Sequence, residues 1–197
     1  MELPTDNLEK KLIKEGFKNI AGVDEVGRGA LAGPMVAVAA MIKVKLKPDK
    51  YIRDSKLLSE SRREKIFEAL SEKVIWSFGL ATHREIDKLG IARANLLVIR
   101  RALRKLAVEP DYLLLDRVNG FKHKLPFESI VRGDRKVISV SIASILAKVI
   151  RDRLMRKLHA KYPEYHFNRH KGYGTRLHKQ CLEKYGRCRI HRLSYKY

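Results

Sequence analysis

Cysteine and long apolar runs are scarce in this chain of 197 residues. Its two cysteines, Cys181 and Cys188, have six residues between them. This spacing fits neither a zinc knuckle nor a disulfide framework, so we expect both to be free thiols. No run approaches the ~18 apolar residues of a membrane span, and the N-terminal stretch MELPTDNLEKKLIKEG has no apolar leader segment. We therefore expect a cytoplasmic protein that does not enter a membrane.

Acidic residues are also few in this chain. Asp and Glu number 22 against 43 Lys and Arg, which gives a formal net charge of +21. Because neutralising phosphates releases condensed counterions, such a charge favours nucleic acid as a partner. A basic surface that is only solvated is the alternative that charge alone leaves open. The hydrophobic content of 45% is enough for the core of one domain.

Short apolar runs bounded by glycine and proline predict strands, and periodic apolar positions predict helices. Strands are expected in NIAGVDEVG, PMVAVAAMI, VIWSFGLA, DYLLLD and PFESIVRGD. Helices are expected in SESRREKIFEALSEK, in HREIDKLGIARANLLVIRRALRKLA as one element, in ISVSIASILAKVIRDRLMRKLHAKY and near 177–185. This order predicts an α/β fold, a mixed β-sheet flanked by helices, with a small helical C-terminal extension.

Four acids stand where apolar strands stop, namely Asp24, Glu25, Asp116 and Asp134. Strand ends are where open α/β sheets place their sites. Neighbouring strand residues point to opposite faces, so Asp24 and Glu25 share a ligand only where the strand bends. Gly27 and Gly29 permit that bend.

Clustered carboxylates raise one another's pKa unless cations neutralise them. Ligands that offer only oxygen select Mg²⁺ or Mn²⁺ rather than zinc, and two such ions clamp the attacking and leaving oxygens of a phosphodiester. The alternative for Asp116 and Asp134 is that they are turn residues or helix caps. A glycosidase with paired carboxylates also uses such acids, but it does not explain the net charge.

Five ordered blocks match a known family. They read GVDEVGRGALAGP, RDSKLLSESRREKIF, LLLD, RGD followed by VSIASILAKVIRDR, and HKGYGT. Their order and spacing resemble type 2 ribonuclease H, the ribonuclease HII group, over nearly the entire chain. The resemblance implies an RNase H-like catalytic domain over 1–160 and a basic helical C-terminal segment over 161–197 that contributes to substrate binding.

The same resemblance implies an endoribonuclease. It would hydrolyse RNA in RNA/DNA hybrids and incise duplex DNA 5′ of embedded ribonucleotides by two-metal-ion catalysis, leaving 3′-hydroxyl and 5′-phosphate ends. Mg²⁺ or Mn²⁺ is the implied cofactor, and a monomer acting on nucleic acid is expected. The carboxylates implied to be catalytic and to bind the metal are Asp24, Glu25, Asp116 and Asp134.

Further roles follow from the resemblance. Gly27, Arg28 and Gly29 are implied to recognise the 2′-hydroxyl at the scissile position through close backbone approach. Tyr173 is implied to contact the sugar at the RNA–DNA junction. The chain departs from the family pattern after the third acid, where Arg117 replaces a glycine or small residue and puts metal binding by Asp116 in question.

The remaining assignments have plainer alternatives. A phosphate contact is expected at Asp54, Ser55 and Lys56, whose alternative is a simple lead-in to a helix. A grip on the DNA strand is expected from Ser141, Ser144 and Lys148, which lie on one face of the long helix, although packing of the two serines against the sheet is the competing interpretation. General contacts with the nucleic-acid backbone are assigned to Arg169 and Lys171. The histidines expected to be solvent-exposed or phosphate-contacting, rather than zinc ligands, are His166, His170, His178 and His191.

Overall fold

The structure is a computed structural model that describes residues 3–43 and 59–196. The expected phosphate contact at Asp54, Ser55 and Lys56 lies outside these residues. Within these residues the strands are β1 (Ile20–Val26), β2 (Met35–Ile42), β3 (Val74–Ala81), β4 (Tyr112–Asp116) and β5 (Phe127–Ile130). The helices are α1 (Asn7–Lys14), α2 (Glu60–Ser71), α3 (His83–Leu89), α4 (Ile91–Arg104), α5 (Gly133–Lys136), α6 (Ile138–Lys161), α7 (Phe167–His170) and α8 (Arg176–Tyr185).

The strands form one mixed sheet in the order β3-β2-β1-β4-β5. The first three strands are antiparallel, whereas β4 runs parallel to β1 and β5 runs parallel to β4. Val23 of β1 is the register partner of Leu115 of β4. The next residues, Asp24 and Asp116, therefore lie side by side on adjacent strands, with Asp116 at the end of β4 and Asp24 two residues before the end of β1. The predicted mixed sheet flanked by helices is confirmed.

Helices cover both faces of the sheet. One apolar core lies between the sheet and α4, and a second lies between the sheet and helices α2 and α6. Helix α6 approaches β1 so closely that a Cβ atom at Gly22 would lie 2.2 Å from the backbone carbon of Ser139. Only glycine allows this contact. It brings the first half of α6 over the carboxyl end of β1.

The segment after β3 is two helices, so the prediction of one continuous helix was wrong. Thr82 and Glu85 form a capping box that starts α3, and Gly90 ends it with a φ of +75°. The chain then turns directly into α4. Because both helices are amphipathic, the spacing of apolar residues does not reveal the break.

The C-terminal segment builds a small core of its own. Phe167 is fully buried, and it packs with Met155 of α6 and with Tyr165. Both cysteines are free thiols, as expected. Among the helices of the described residues, none has the length and apolar content needed to cross a membrane.

The expectation that the tail histidines are exposed was wrong for three of the four. His170, His178 and His191 are buried around Phe167, and the rings of His170 and His178 stack at 4.3 Å. His178 and His191 bring their Nε2 atoms to 3.0 Å, and a backbone N–H donates to His191 Nδ1 at 2.9 Å. These partners replace water, so neutral imidazoles fit a core.

Candidate active site

A cleft of about 440 Å³ opens at the carboxyl ends of β1 and β4. Three elements contribute to it: the strand ends, the short helix α5 and the first half of α6. The four acids that were expected at strand ends all line this one cleft. Its lining residues are Asp24, Glu25, Val26, Asp116, Asp134, Ser144, Lys148 and Tyr173.

Backbone amides orient two of the carboxylates. One oxygen of Asp24 accepts a hydrogen bond from the amide of Glu25 at 2.7 Å. One oxygen of Asp116 accepts from the amide of Gly133 at 2.9 Å, which ties the start of α5 to the end of β4. Asp134 follows in α5 and is buried. Each of these three carboxylates therefore has a fixed backbone support or a buried position.

Burial and neighbouring carboxylates raise the pKa values of two acids in the cleft. Burial, together with the charges of Glu25, Asp116 and Asp134, raises the pKa of Asp24 well above its ordinary value. Burial also raises the pKa of Glu25 to about 7, against the opposing effect of Arg28. Carboxylates held this way favour a cation, which stabilises their charged forms.

The donor set fits a hard divalent ion such as Mg²⁺ or Mn²⁺, because every charged donor is an oxygen. Within residues 3–43 and 59–196, no three acidic, histidine or cysteine side chains already stand together as a finished metal-binding cluster.

Helix α6 supplies the polar wall of the cleft. The Ser144 hydroxyl is hydrogen-bonded to Asp24, and the Lys148 ammonium donates to Asp152 at 2.7 Å. Burial lowers the pKa of Lys148, with Asp152 opposing the effect. Ser141, one turn earlier, is buried, so the packing interpretation holds there. Ser144 and Lys148 instead line the cleft together with the acids.

The Gly-Arg-Gly loop borders the cleft after β1. Gly27 has a φ of +94°, and a Cβ atom there would lie 2.3 Å from Arg151 Nε, so the fold itself requires this glycine. Gly29 differs, because a Cβ atom there meets nothing within 4 Å and its φ is not positive. The protein's own packing does not require glycine at position 29. Arg28 between them is exposed and lies 3.5 Å from Glu25.

Tyr173 borders the cleft from the C-terminal segment. Its ring is half-buried, and the Arg151 guanidinium lies 5.1 Å from the ring centroid. The turn that carries Tyr173 pairs with the loop after β1 through a bridge between Ala30 and Tyr173. The loop and the tyrosine are thus fixed relative to each other.

Comparison with known proteins identifies the family of this chain. The family model described as Ribonuclease HII matches residues 21–197. This chain belongs to the ribonuclease HII family. It is accordingly a hydrolase of the nuclease class.

Relatives and solved structures agree with this placement. The Ribonuclease HII of Caldicellulosiruptor bescii is 43% identical over 95% of this chain and 91% of its own length. That of Dehalococcoides mccartyi is 45% identical over 95% and 90%. The crystal structure of the ribonuclease H2 from Pyrococcus horikoshii OT3 has a TM-score of 0.74 at 28% identity, covering 91% of this chain and 94% of that one.

Two residues expected to bind nucleic acid, Arg169 and Lys171, do not line the cleft. Arg169 is exposed in α7. Lys171 is buried, and its ammonium lies 3.1 Å from Glu60 in α2. Arg117 is exposed at the end of β4. The nucleic-acid contacts assigned to Arg169 and Lys171 stay predictions, and Lys171 would have to leave its ion pair to make one.

Sequence reasoning missed two residues beside the site. Asn95 of α4 is buried and forms a side-chain hydrogen bond to Glu25. Arg151 of α6 is fully buried beneath the loop and donates to the carbonyl of Pro34 at 2.9 Å. The signal for Asn95 was an amide on the apolar stripe of a helix. Arg151 offered none, because it stands within a run of basic residues.

Proposed function

We propose that this chain hydrolyses the RNA strand of RNA/DNA hybrids and incises duplex DNA 5′ of embedded ribonucleotides, leaving 3′-hydroxyl and 5′-phosphate ends. The observation that carries the proposal is one cleft in which four carboxylates meet a loop whose Gly29 is not required by the fold. Acids alone would suit many hydrolases. The loop beside them adds a means of distinguishing ribose from deoxyribose.

In this proposal, Asp24, Glu25, Asp116 and Asp134 hold two divalent ions, Mg²⁺ or Mn²⁺. The chemistry that such a pair supplies is activation of the attacking water and neutralisation of the leaving oxygen. The raised pKa values of Asp24 and Glu25 support the proposal, because a bound cation would stabilise the charged forms of both carboxylates.

The surrounding residues position the substrate. An open space at Gly29 lets the sugar–phosphate backbone approach the loop, so that backbone N–H groups reach the ribose 2′-hydroxyl, which only RNA carries. The ring of Tyr173 packs against the sugar that follows, held from behind by Arg151. Lys148 places a positive charge beside the acids, where a phosphate enters.

The net charge of +21 supports a polyanionic substrate. The monomeric state and the cytoplasmic location stay predictions.

The test uses three duplexes of one sequence: an RNA/DNA hybrid, a DNA duplex with a single ribonucleotide, and an all-DNA duplex. We expect Mg²⁺- or Mn²⁺-dependent cleavage of the first two, 5′ of the ribonucleotide, and none of the third. Asp24→Asn should abolish cleavage while preserving the fold. Cleavage of the all-DNA duplex, or cleavage that survives Asp24→Asn, would contradict the proposal.

A further inference from the structure

Among the described residues, Arg192 is the most completely buried arginine outside α6, at 1% exposure, and it lies directly beneath the loop after β1. Its guanidinium donates to the carbonyl of Gly27 at 2.7 Å and to the carbonyl of Arg28 at 2.8 Å. It also donates to the carbonyl of Gly33 at 3.2 Å. A planar guanidinium with five donors can hold several carbonyls at once, which an ammonium cannot.

The rest of the C-terminal segment strengthens this attachment. The hydroxyl of Tyr195 donates to the carbonyl of Arg28 at 2.5 Å, and the ring of Tyr195 lies 5.1 Å from the Arg192 guanidinium. The amide of Arg192 donates to the carbonyl of Leu31 at 2.8 Å. The side of the loop that faces this segment is therefore held through successive carbonyl groups.

Peptide geometry determines what the other side of the loop presents. All peptide bonds of the described residues are trans, so each carbonyl and the following N–H point in opposite directions. With the carbonyls of Gly27 and Arg28 turned toward Arg192, the N–H groups of Arg28 and Gly29 point away from it. Both residues are exposed. Arg192 thus controls the direction of two amide donors.

We propose that Arg192 is a positioning residue for ribose recognition. By holding the carbonyls of Gly27 and Arg28, it aims the amides of Arg28 and Gly29 at the 2′-hydroxyl of a bound ribonucleotide. Tyr195 assists through the carbonyl of Arg28. The inference rests on the proposed function, because it assigns a cause to the recognition of ribose by this loop.

The test compares the affinity of each variant for two duplexes, one with a single ribonucleotide and one of all DNA, with Ca²⁺ in place of Mg²⁺ and cleavage checked to be absent. Arg192→Lys keeps the charge but loses the fork of donors. We expect it to reduce the preference for the ribonucleotide duplex at least about tenfold. A tenfold change in affinity corresponds to about 1.4 kcal/mol of lost hydrogen bonding. Affinity for the all-DNA duplex should change less than about twofold, because phosphate contacts do not depend on the loop.

Arg101→Lys is the matched control. Arg101 also donates to a backbone carbonyl, that of Leu80 at 2.7 Å, but it lies away from the loop. It should alter neither affinity. A general loss of folding would lower both affinities together, so the ratio separates positioning from stability. Should Arg192→Lys fail to fold, Tyr195→Phe removes one bond to the same loop and should lower the ratio in the same direction.

Hydrogen exchange provides a readout that needs no substrate. Arg192→Lys should speed amide exchange in the peptide over 27–33 while the strands of the sheet exchange as before. An unchanged ratio in folded Arg192→Lys, or unchanged exchange over 27–33, would overturn the role of Arg192. A wild-type protein that binds both duplexes equally would instead refute the proposed recognition of ribose itself.

Discussion

Replacing Glu25 by Gln should stabilise the metal-free protein even though Glu25 lines the acidic cleft. The side chain is only 9% exposed, and burial raises its pKa from 4.5 to about 7. The unfolded chain loses this proton near pH 4.5, whereas the folded chain keeps it until about pH 7. Between these values the folded state binds more protons, so stability falls as pH rises.

The magnitude follows from the two pKa values. The difference corresponds to about 3 kcal/mol, at about 1.4 kcal/mol for each tenfold change in the proton equilibrium. Gln has no charge to bury and keeps the shape of the side chain. We therefore expect Glu25→Gln to be about 3 kcal/mol more stable than the wild type above pH 7, and about equal to it near pH 4.5. For a domain of this size, that is an increase in Tm of roughly 6 to 12 °C.

The assay is thermal and chemical denaturation of both proteins in a chelator, from pH 4.5 to pH 8. Glu85→Gln is the control with the opposite sign. A hydrogen bond from Arg101 lowers the pKa of Glu85 to about 2, so its stabilisation is present above pH 4.5 and is lost as pH falls toward 2. This variant should be less stable than the wild type at neutral pH.

A wild type as stable as Glu25→Gln at pH 8, or a gap that does not shrink as pH falls, would refute the reasoning. Added Mg²⁺ should also stabilise the wild type more than the variant, because a ligand that binds only the folded state shifts the unfolding equilibrium. The active site would then carry a stability cost that its metal offsets.

Gly29→Ala should leave the free energy of unfolding within about 0.5 kcal/mol of the wild type, because the added methyl meets no atom. Its cleavage at a single ribonucleotide should fall at least about tenfold, and equal cleavage would exclude close substrate approach at this residue. Gly22→Ala should destabilise by about 3 kcal/mol, since its Cβ overlaps the backbone of α6, and urea unfolding measures this. Burial lowers the pKa of His191 to about 4, so its neutral ring contributes stability above pH 6.5 that is lost as pH falls toward 4. The test uses the Glu25→Gln variant, so that Glu25 does not titrate over the same range. In that variant Tm should fall as pH drops from 6.5 toward 4, and adding His191→Gln should make this fall in Tm shallower.

The sheet and the four acids could be predicted because their signals are local. An apolar run that ends in a carboxylate marks both a buried strand and its exit, and the strands containing Asp24 and Asp116 are adjacent and parallel. The register that sets these two acids side by side is a property of pairing between distant segments. The sequence therefore predicts which acids line one cleft but not how far apart they stand.

The buried polar residues could not be predicted, because their partners are distant in the chain. His178 and His191 are buried as a pair, since each ring satisfies the other. Arg192 is buried because three carbonyls of a loop after the first strand surround it. Histidine and arginine are polar or charged residue types, so the sequence alone predicts that these side chains lie at the surface. Only the folded chain provides the groups that replace water.

The contact between Gly27 and Arg192 also sets an order of events during synthesis, because the two residues are 165 positions apart. At about 5–20 residues per second, the ribosome makes the loop roughly 8 to 33 s before it makes the arginine that holds it. Once Asp134 has been made, the nascent chain has the strands and acids of a nuclease but still lacks Arg192 beneath the loop. Translation thus completes the acidic cleft first and the attachment of its neighbouring loop last.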